Sequence, residues 1–320
     1  MSDRLNMPLE HDFKFYQRRK HDKWLEVPAP APALEGPVAD SHAHIHMLPD
    51  PAWELARCTA NGVDFVCEIV DPSEDGSLPF DQLAAWRENA ASQVASAGLD
   101  AQPINVRIAV GVHPHNAKLY TDAIEEELVE RLADSRVGAL GEIGLDFHYD
   151  LSPRSVQRDV FIRQVELAKQ AGVPIALHLR GGEDPEKDNA HAEAFGILQE
   201  IGFPEAGTLL HCCALGPEEL APWVEADCYV AYGGALTFKS AVDAREGAKI
   251  VPLDRLMVET DSPYMTPEPM RGTACTPAHV VFTAARLAEV RGIAPGDGRR
   301  MFLEQLHDNT LSFYAGGDEA

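Results

Sequence analysis

A chain of 320 residues with 45% hydrophobic and 24% charged residues has ample material for a packed core, which excludes wholesale disorder and leaves one large α/β domain or two small ones. The formal net charge of −24 comes with no general basic patch, which excludes tight, non-specific duplex binding. No stretch approaches the roughly 18 apolar residues that cross a bilayer, and Met1 to Lys20 lacks the apolar core of a secretion signal, so a cytoplasmic protein without membrane contact is expected.

Residues 1–37 differ from the rest of the chain: acidic and basic residues balance there, and the segment ends in Val27-Pro28-Ala29-Pro30-Ala31-Pro32-Ala33. Such a Pro-Ala run predicts a stiff, extended linker closing an N-terminal extension that lies against the surface. The main domain then spans 38–320. From Val38 onward, short β-branched runs predict strands at 38–46, 63–70, 104–112, 137–143, 174–180, 207–213, 228–233 and 255–260. Helical patterns separate them. The clearest covers 153–171, where Pro153 opens the helix, Val156, Val160, Phe161, Val165, Leu167 and Ala168 give it an apolar face, and Gly172-Val173-Pro174 stops it.

Strand and helix alternation makes the strands parallel, and eight such units suit a closed (β/α)8 TIM barrel, whose site lies at the C-terminal ends of the strands. A doubly wound open sheet is the rival, but it would not easily bring strands one, four, five, six and eight to one centre. The six cysteines (Cys58, Cys67, Cys212, Cys213, Cys228 and Cys275) show no metal-binding spacing. They read as buried thiols, with Cys212 or Cys213 able to point into the site.

The chemistry sits at those strand ends. In Asp40-Ser41-His42-Ala43-His44 a strand would aim both imidazoles at one point. Glu142, His178, His211 and Asp261 end later apolar runs, with 36 residues between Glu142 and His178 and 33 between His178 and His211, about one strand-helix unit each. His42, His44, Glu142 and Asp261 could hold one divalent ion, and His178 and His211, sharing Glu142 as a bridge, a second. Imidazole with carboxylate suits zinc, manganese or iron, and magnesium less comfortably. Two such ions with Asp261 taking a proton from water make a hydrolytic site.

Arg180, two residues past His178, has two readings: a guanidinium fork for phosphate, or a salt bridge closing the strand end. His113 and His115 leave the third strand and either meet substrate or are structural. Glu259 and Asp146 share the facing parity of Asp261 and Glu142 and are expected to orient the ligands from behind. His11, His21, His46, His191, His279 and His307 read as surface or core residues.

In order, Asp40-Ser-His-Ala-His44, Gly111-Val-His-Pro-His115, Gly141-Glu-Ile-Gly-Leu-Asp146, His178-Leu-Arg180, His211-Cys212 and Glu259-Thr-Asp-Ser-Pro-Tyr264 resemble the signatures of TatD-type metal-dependent deoxyribonucleases. Leu151-Ser-Pro-Arg154 and Gly234-Ala-Leu-Thr-Phe-Lys239 fit too, and the resemblance covers about 38 to 314. It implies a TIM barrel of the amidohydrolase superfamily, a two-metal site bridged by Glu142, hydrolysis of DNA phosphodiester bonds, often exonucleolytic, and substrate contacts by His113 and Arg180. The chain departs from the family in Arg271-Gly-Thr-Ala-Cys275-Thr276-Pro277, where Asn-Glu usually precedes the proline, in Cys213-Ala214-Leu215, and in the long acidic loop 181–188. These changes are expected to touch substrate contacts and spare every ligand.

The leading expectation is therefore a two-metal hydrolase (zinc, manganese or magnesium) of phosphodiester bonds, a deoxyribonuclease on single strands or ends, with DNA its partner and no obligate protein partner. The alternative keeps the site for a small phosphate ester, amide or lactone. A third reading makes the metals structural and the chain a binding module, although structural zinc sites are closed and this ligand set leaves room for water.

Overall fold

The computed structural model describes residues 13–315 except 22, 30, 101, 185 and 186. Residues 1–12, including His11, Pro30 and part of the acidic loop lie outside the described residues.

The chain begins with a hairpin, β1 (Phe15–His21) antiparallel to β2 (Lys23–Ala29). The Pro-Ala run is thus no free linker where it starts, since Val27, Pro28 and Ala29 pair with Gln17, Tyr16 and Phe15. Phe15 is buried, edge-on to Phe282 at 4.9 Å between centroids, with the Arg57 guanidinium 4.9 Å from its ring. Those partners lie far along the chain, so local composition could not disclose the docking.

Eight parallel strands come next in sequence order: β3 (Val38–Ala43), β4 (Val63–Val70), β5 (Asn105–Val110), β6 (Val137–Asp146), β7 (Ile175–Arg180), β8 (Thr208–Leu210), β9 (Tyr229–Tyr232) and β10 (Leu256–Val258). Between them run α1 (Pro51–Ala60), α2 (Leu78–Ser96), α3 (Asp122–Leu132), α4 (Arg154–Ala171), α5 (Ala190–Ile201), α6 (Pro217–Glu225) and α7 (Val242–Ile250), and α8 (Val280–Val290) and α9 (Asp297–Phe313) complete the ring. Past the strand ends β10 meets β3: Ala43 bridges Ser262, the His44 amide donates to the Ser262 carbonyl at 2.8 Å, and the Asp261 amide donates to the His42 carbonyl at 2.9 Å. The sheet closes there into the predicted (β/α)8 barrel.

Both faces of a barrel strand are covered, which explains near-continuous apolar runs such as Val63-Asp-Phe-Val-Cys-Glu-Ile-Val70. Inside, Ala39, Ala109, Ala139, Ala176 and Ala231 alternate with Phe65, Leu209 and Met257 over Phe313 and Tyr314. Tyr314 plugs the floor and donates its hydroxyl to the Ser41 carbonyl at 2.9 Å. With the floor filled, the open end is the one that carries the strand C-termini.

Helix α4 buries Val160, Phe161, Val165 and Ala168 of its predicted apolar face, leaves Val156 and Leu167 half-buried, and ends at Gly172 in the left-handed region, φ +69°. It also buries Gln157 and Gln164, whose amides satisfy the backbone of Asp146 and of Val112 in both directions. Among the described residues no helix is long and apolar enough to cross a membrane.

Candidate metal centre

The six predicted ligands converge at the open end. The two oxygens of Glu142, from β6, face two groups of partners. Oε2 lies 3.5 Å from His42 Nε2 and 3.9 Å from His44 Nε2. Oε1 lies 2.6 Å from His178 Nδ1 and 2.9 Å from His211 Nε2. Asp261 Oδ1 completes the first group, 4.0 Å from His42 Nε2 and 3.7 Å from His44 Nε2. The Asp261 backbone is left-handed, φ +58°, a conformation uncommon outside glycine and concentrated at functional sites.

Burial and charge set the state of each group. His42 is fully buried, stacked on His211 at 3.9 Å between centroids and 16° between planes. Burial, reinforced by His211, lowers its pKa, which keeps the imidazole neutral with a lone pair to offer. Burial opposes the charge of Glu142, yet His211, His113, His178 and His42 hold it well below the usual carboxylate range.

A divalent cation fits this donor set. Among the described residues both ring nitrogens of His42 are buried without a hydrogen-bond partner, and such atoms are costly unless something binds them. Mixed imidazole and carboxylate donors suit a transition metal. The ligand atoms of His42, His44 and Glu142, of His42, His211 and Asp261, and of Glu142, His178 and His211 each lie within 4.8 Å of one another.

Behind the ligands stand the two expected acids, both fully buried. Glu259 Oε1 accepts from the Cys212 amide at 2.6 Å and lies 3.2 Å from His211 Nδ1. Asp146 Oδ2 lies 3.2 Å from His178 Nε2 and 2.9 Å from His115 Nε2, while its Oδ1 accepts from the amides of His148 and Tyr149. His113 turns Nε2 toward Glu142 Oε1 at 3.8 Å. Burial, with His178 adding to it, lowers the His113 pKa well below the usual imidazole value.

Arg180 is exposed, and its guanidinium lies 4.7 Å from the centroid of the Tyr149 ring. Two departures from the family pattern are relocated by the structure. Cys275 is fully buried, and Thr276 with His279 forms a capping box on the 3-10 turn Pro277–His279. These positions therefore carry packing and capping. In the acidic loop, Asp188 Oδ1 is paired with Arg154 Nη1 at 2.5 Å, which removes part of its repulsion toward an anion. All six cysteines are free; Cys212 is half-buried and the others are buried.

Sequence reasoning missed the supports of the first strand's loop. Glu68, fully buried at the end of β4, accepts from the amides of Ile45 (2.5 Å) and His46 (3.1 Å) and from His46 Nδ1 (2.7 Å). His46 Nε2 faces Asp75 at 3.1 Å. Asp40 fixes the seam, accepting from the Thr260 amide at 2.8 Å and hydroxyl at 2.6 Å. An acid inside an apolar run, Glu68 in Val66-Cys67-Glu68-Ile69-Val70, was the available signal.

A family model described as TatD related DNase matches residues 39–314. This chain belongs to that family. Among its TatD-family relatives, the uncharacterized metal-dependent hydrolase YcfH of Escherichia coli (strain K12) is 32% identical over 264 residues, 80% of this chain and 89% of that one. A protein of Shigella flexneri serotype 5b named 3'-5' ssDNA/RNA exonuclease TatD is 29% identical over 187 residues, 57% of this chain and 69% of that one. In fold, the crystal structure of YJJV, a TatD homolog from Escherichia coli K12, matches 87% of this chain and 98% of its own at TM-score 0.71 and 24% identity. The chain is thus a metal-dependent hydrolase of the TatD family.

Proposed function

We propose that the chain is a two-metal phosphodiesterase that trims single-stranded DNA or strand ends. The supporting observation is the division of Glu142, with Oε2 toward His42 and His44 and Oε1 toward His178 and His211. One carboxylate so placed would serve two cations, one that His42, His44 and Asp261 would hold and another that His178 and His211 would hold. Zinc or manganese suits the imidazole-rich set better than magnesium. A bound pair supplies Lewis acidity toward the phosphoryl oxygens and brings water near pH 7 in acidity, from about 15.7 in bulk.

The chain's own residues do the rest. Asp261, seventeen per cent exposed at its side chain, reaches the mouth and takes the proton of the attacking water on a carboxylate oxygen. His113 presents a neutral imidazole to a phosphate oxygen, and Arg180 a permanent positive charge. Asp146 and Glu259 hold His178 and His211 in the orientation that turns Nδ1 of the first and Nε2 of the second toward Glu142. The unit that does this is 38–320, acting in the cytoplasm without a protein partner.

The Shigella relative carries an exonuclease name, and the bridged pair is the arrangement that in-line displacement at phosphorus uses. The small phosphate ester, amide or lactone has weaker support. The test is a 5'-labelled single strand incubated with the metal-reconstituted chain. A ladder shortening one nucleotide at a time is expected; intact single-stranded, nicked and blunt DNA across zinc, manganese and magnesium would overturn the proposal.

A further inference from the structure

Two aromatic rings stand at the mouth of the barrel with much of their surface in solvent, Tyr149 at 53% and Tyr264 at 51% exposure. Tyr149 follows Asp146 by three residues at the end of β6, and Tyr264 follows Asp261 by three residues beyond β10. In the strand order β3 to β10, β6 and β10 lie four places apart in a ring of eight. The two tyrosines therefore follow strands on opposite walls of the barrel, Tyr264 beside His44 and Tyr149 beside His115.

Both are held in place. Asp146 Oδ1 accepts from the Tyr149 amide at 2.8 Å, His115 and His148 pack edge-on to the Tyr149 ring at 5.4 and 4.8 Å between centroids, and Arg180 backs it at 4.7 Å. The Tyr264 amide donates to the Asp261 carbonyl at 2.8 Å, its ring lies 6.2 Å from that of His44, and its hydroxyl is 4.0 Å from Met47 Sδ. A pre-oriented ring with free surface is a stacking platform, and every nucleobase has a π-face to lay on it.

We propose that Tyr149, backed by Arg180, and Tyr264 receive the two nucleobases on either side of the phosphodiester held at the ligand cluster. This rests on the nuclease reading above and deepens it. A phosphodiester link is flanked by one nucleoside on each side, and the opposed rings match that division. Bases paired and stacked in a duplex cannot be splayed onto opposite walls at no cost, so the site selects single strands and frayed ends. With a net charge of −24 the chain draws little affinity from counterion release along the backbone, so base stacking adds to the local phosphate contacts in holding a strand.

The test compares an ordinary single-stranded oligodeoxynucleotide with one carrying an abasic residue at the terminal position, using the metal-loaded full chain. The wild type should show a KM about tenfold lower for the ordinary strand, the effect of one stacked base. Whichever of Tyr149→Leu and Tyr264→Leu removes the ring under the terminal base should bring that ratio toward one while the other leaves it, whereas Tyr149→Phe, which keeps the ring, should retain it. A ratio that both leucine variants leave intact, or that the phenylalanine variant loses equally, would overturn the stacking role while leaving a nuclease. A wild type that cleaves neither strand would remove the nuclease reading, and this proposal with it.

Discussion

Replacing Asp146 by asparagine probes the link between the acid at the end of β6 and the imidazoles of the candidate metal centre. Oδ1 accepts from the amides of His148 and Tyr149, each at 2.8 Å, and Oδ2 faces His115 Nε2 at 2.9 Å and His178 Nε2 at 3.2 Å. A carboxylate accepts on both oxygens; a carboxamide has one accepting oxygen and one donating nitrogen. With its oxygen on the two backbone amides, the introduced carboxamide would point N–H at two imidazole nitrogens. Flipped, it would confront two backbone N–H groups. In the first orientation His178 moves its proton to Nδ1, the atom 2.6 Å from Glu142 Oε1, and a protonated nitrogen offers no lone pair to a cation.

Losing one hydrogen bond to a charged acceptor costs about 1.5–3 kcal/mol. Independently, removing the residue that orients a metal-binding histidine costs about 10- to 100-fold in metal affinity, or about 1.4–2.8 kcal/mol. The two figures agree. Competition against a chromophoric chelator should show the affinity for one of the two cations falling by about that factor in Asp146→Asn. A folded variant that binds both cations as tightly as the wild type would refute the reasoning.

Further outcomes concern the supporting structure. Gly144 sits at φ +149°, and a β-carbon there would collide with the His178 carbonyl oxygen, so Gly144→Ala should cost about 2–6 kcal/mol from backbone strain and overpacking together; an unchanged urea midpoint would contradict this. Glu68→Ala strips three donors of a buried acceptor and should cost about 3–5 kcal/mol by the same measurement. His279 is depressed from 6.5 to about 3, by burial first and the Arg57 charge second. The unfolded chain takes up a proton there before the folded one does, so this contribution is complete above about pH 6.5 and is lost on acidification toward about pH 3, at up to about 1.4 kcal/mol per pH unit. His279→Gln preserves a capping-box residue opposite Thr276 and should flatten the acid limb of stability against pH; a limb as steep as the wild type's would contradict the assignment.

The barrel was legible because its strands are buried on both faces and its helices carry periodic apolar stripes; Val63–Val70 and α4 fall at or within one residue of their predicted limits. The meeting of the candidate ligands was legible for a related reason: polar residues ending apolar strands have one place to converge in a closed barrel. The predicted strands at 207–213 and 255–260 overrun Thr208–Leu210 and Leu256–Val258, because the chain leaves the sheet to present His211 and Asp261, with Cys212 and Asp261 at positive φ. What could not be read were partnerships across the chain. Phe15 finds Phe282, His46 finds Glu68 and Asp75, and Arg180 finds Tyr149, where an isolated arginine had suggested only phosphate or a salt bridge. Nor did sequence position tell that Cys275 is buried and that Thr276 caps a turn with His279.

Bound metal, counted by elemental analysis after reconstitution and gel filtration, tests the two-cation centre most directly. The account predicts two equivalents per chain in the wild type, one in a His178→Ala/His211→Ala double variant that keeps its fold, and strand cleavage lost along with the second equivalent. One equivalent or none in the wild type, or undiminished cleavage by the double variant, would contradict it.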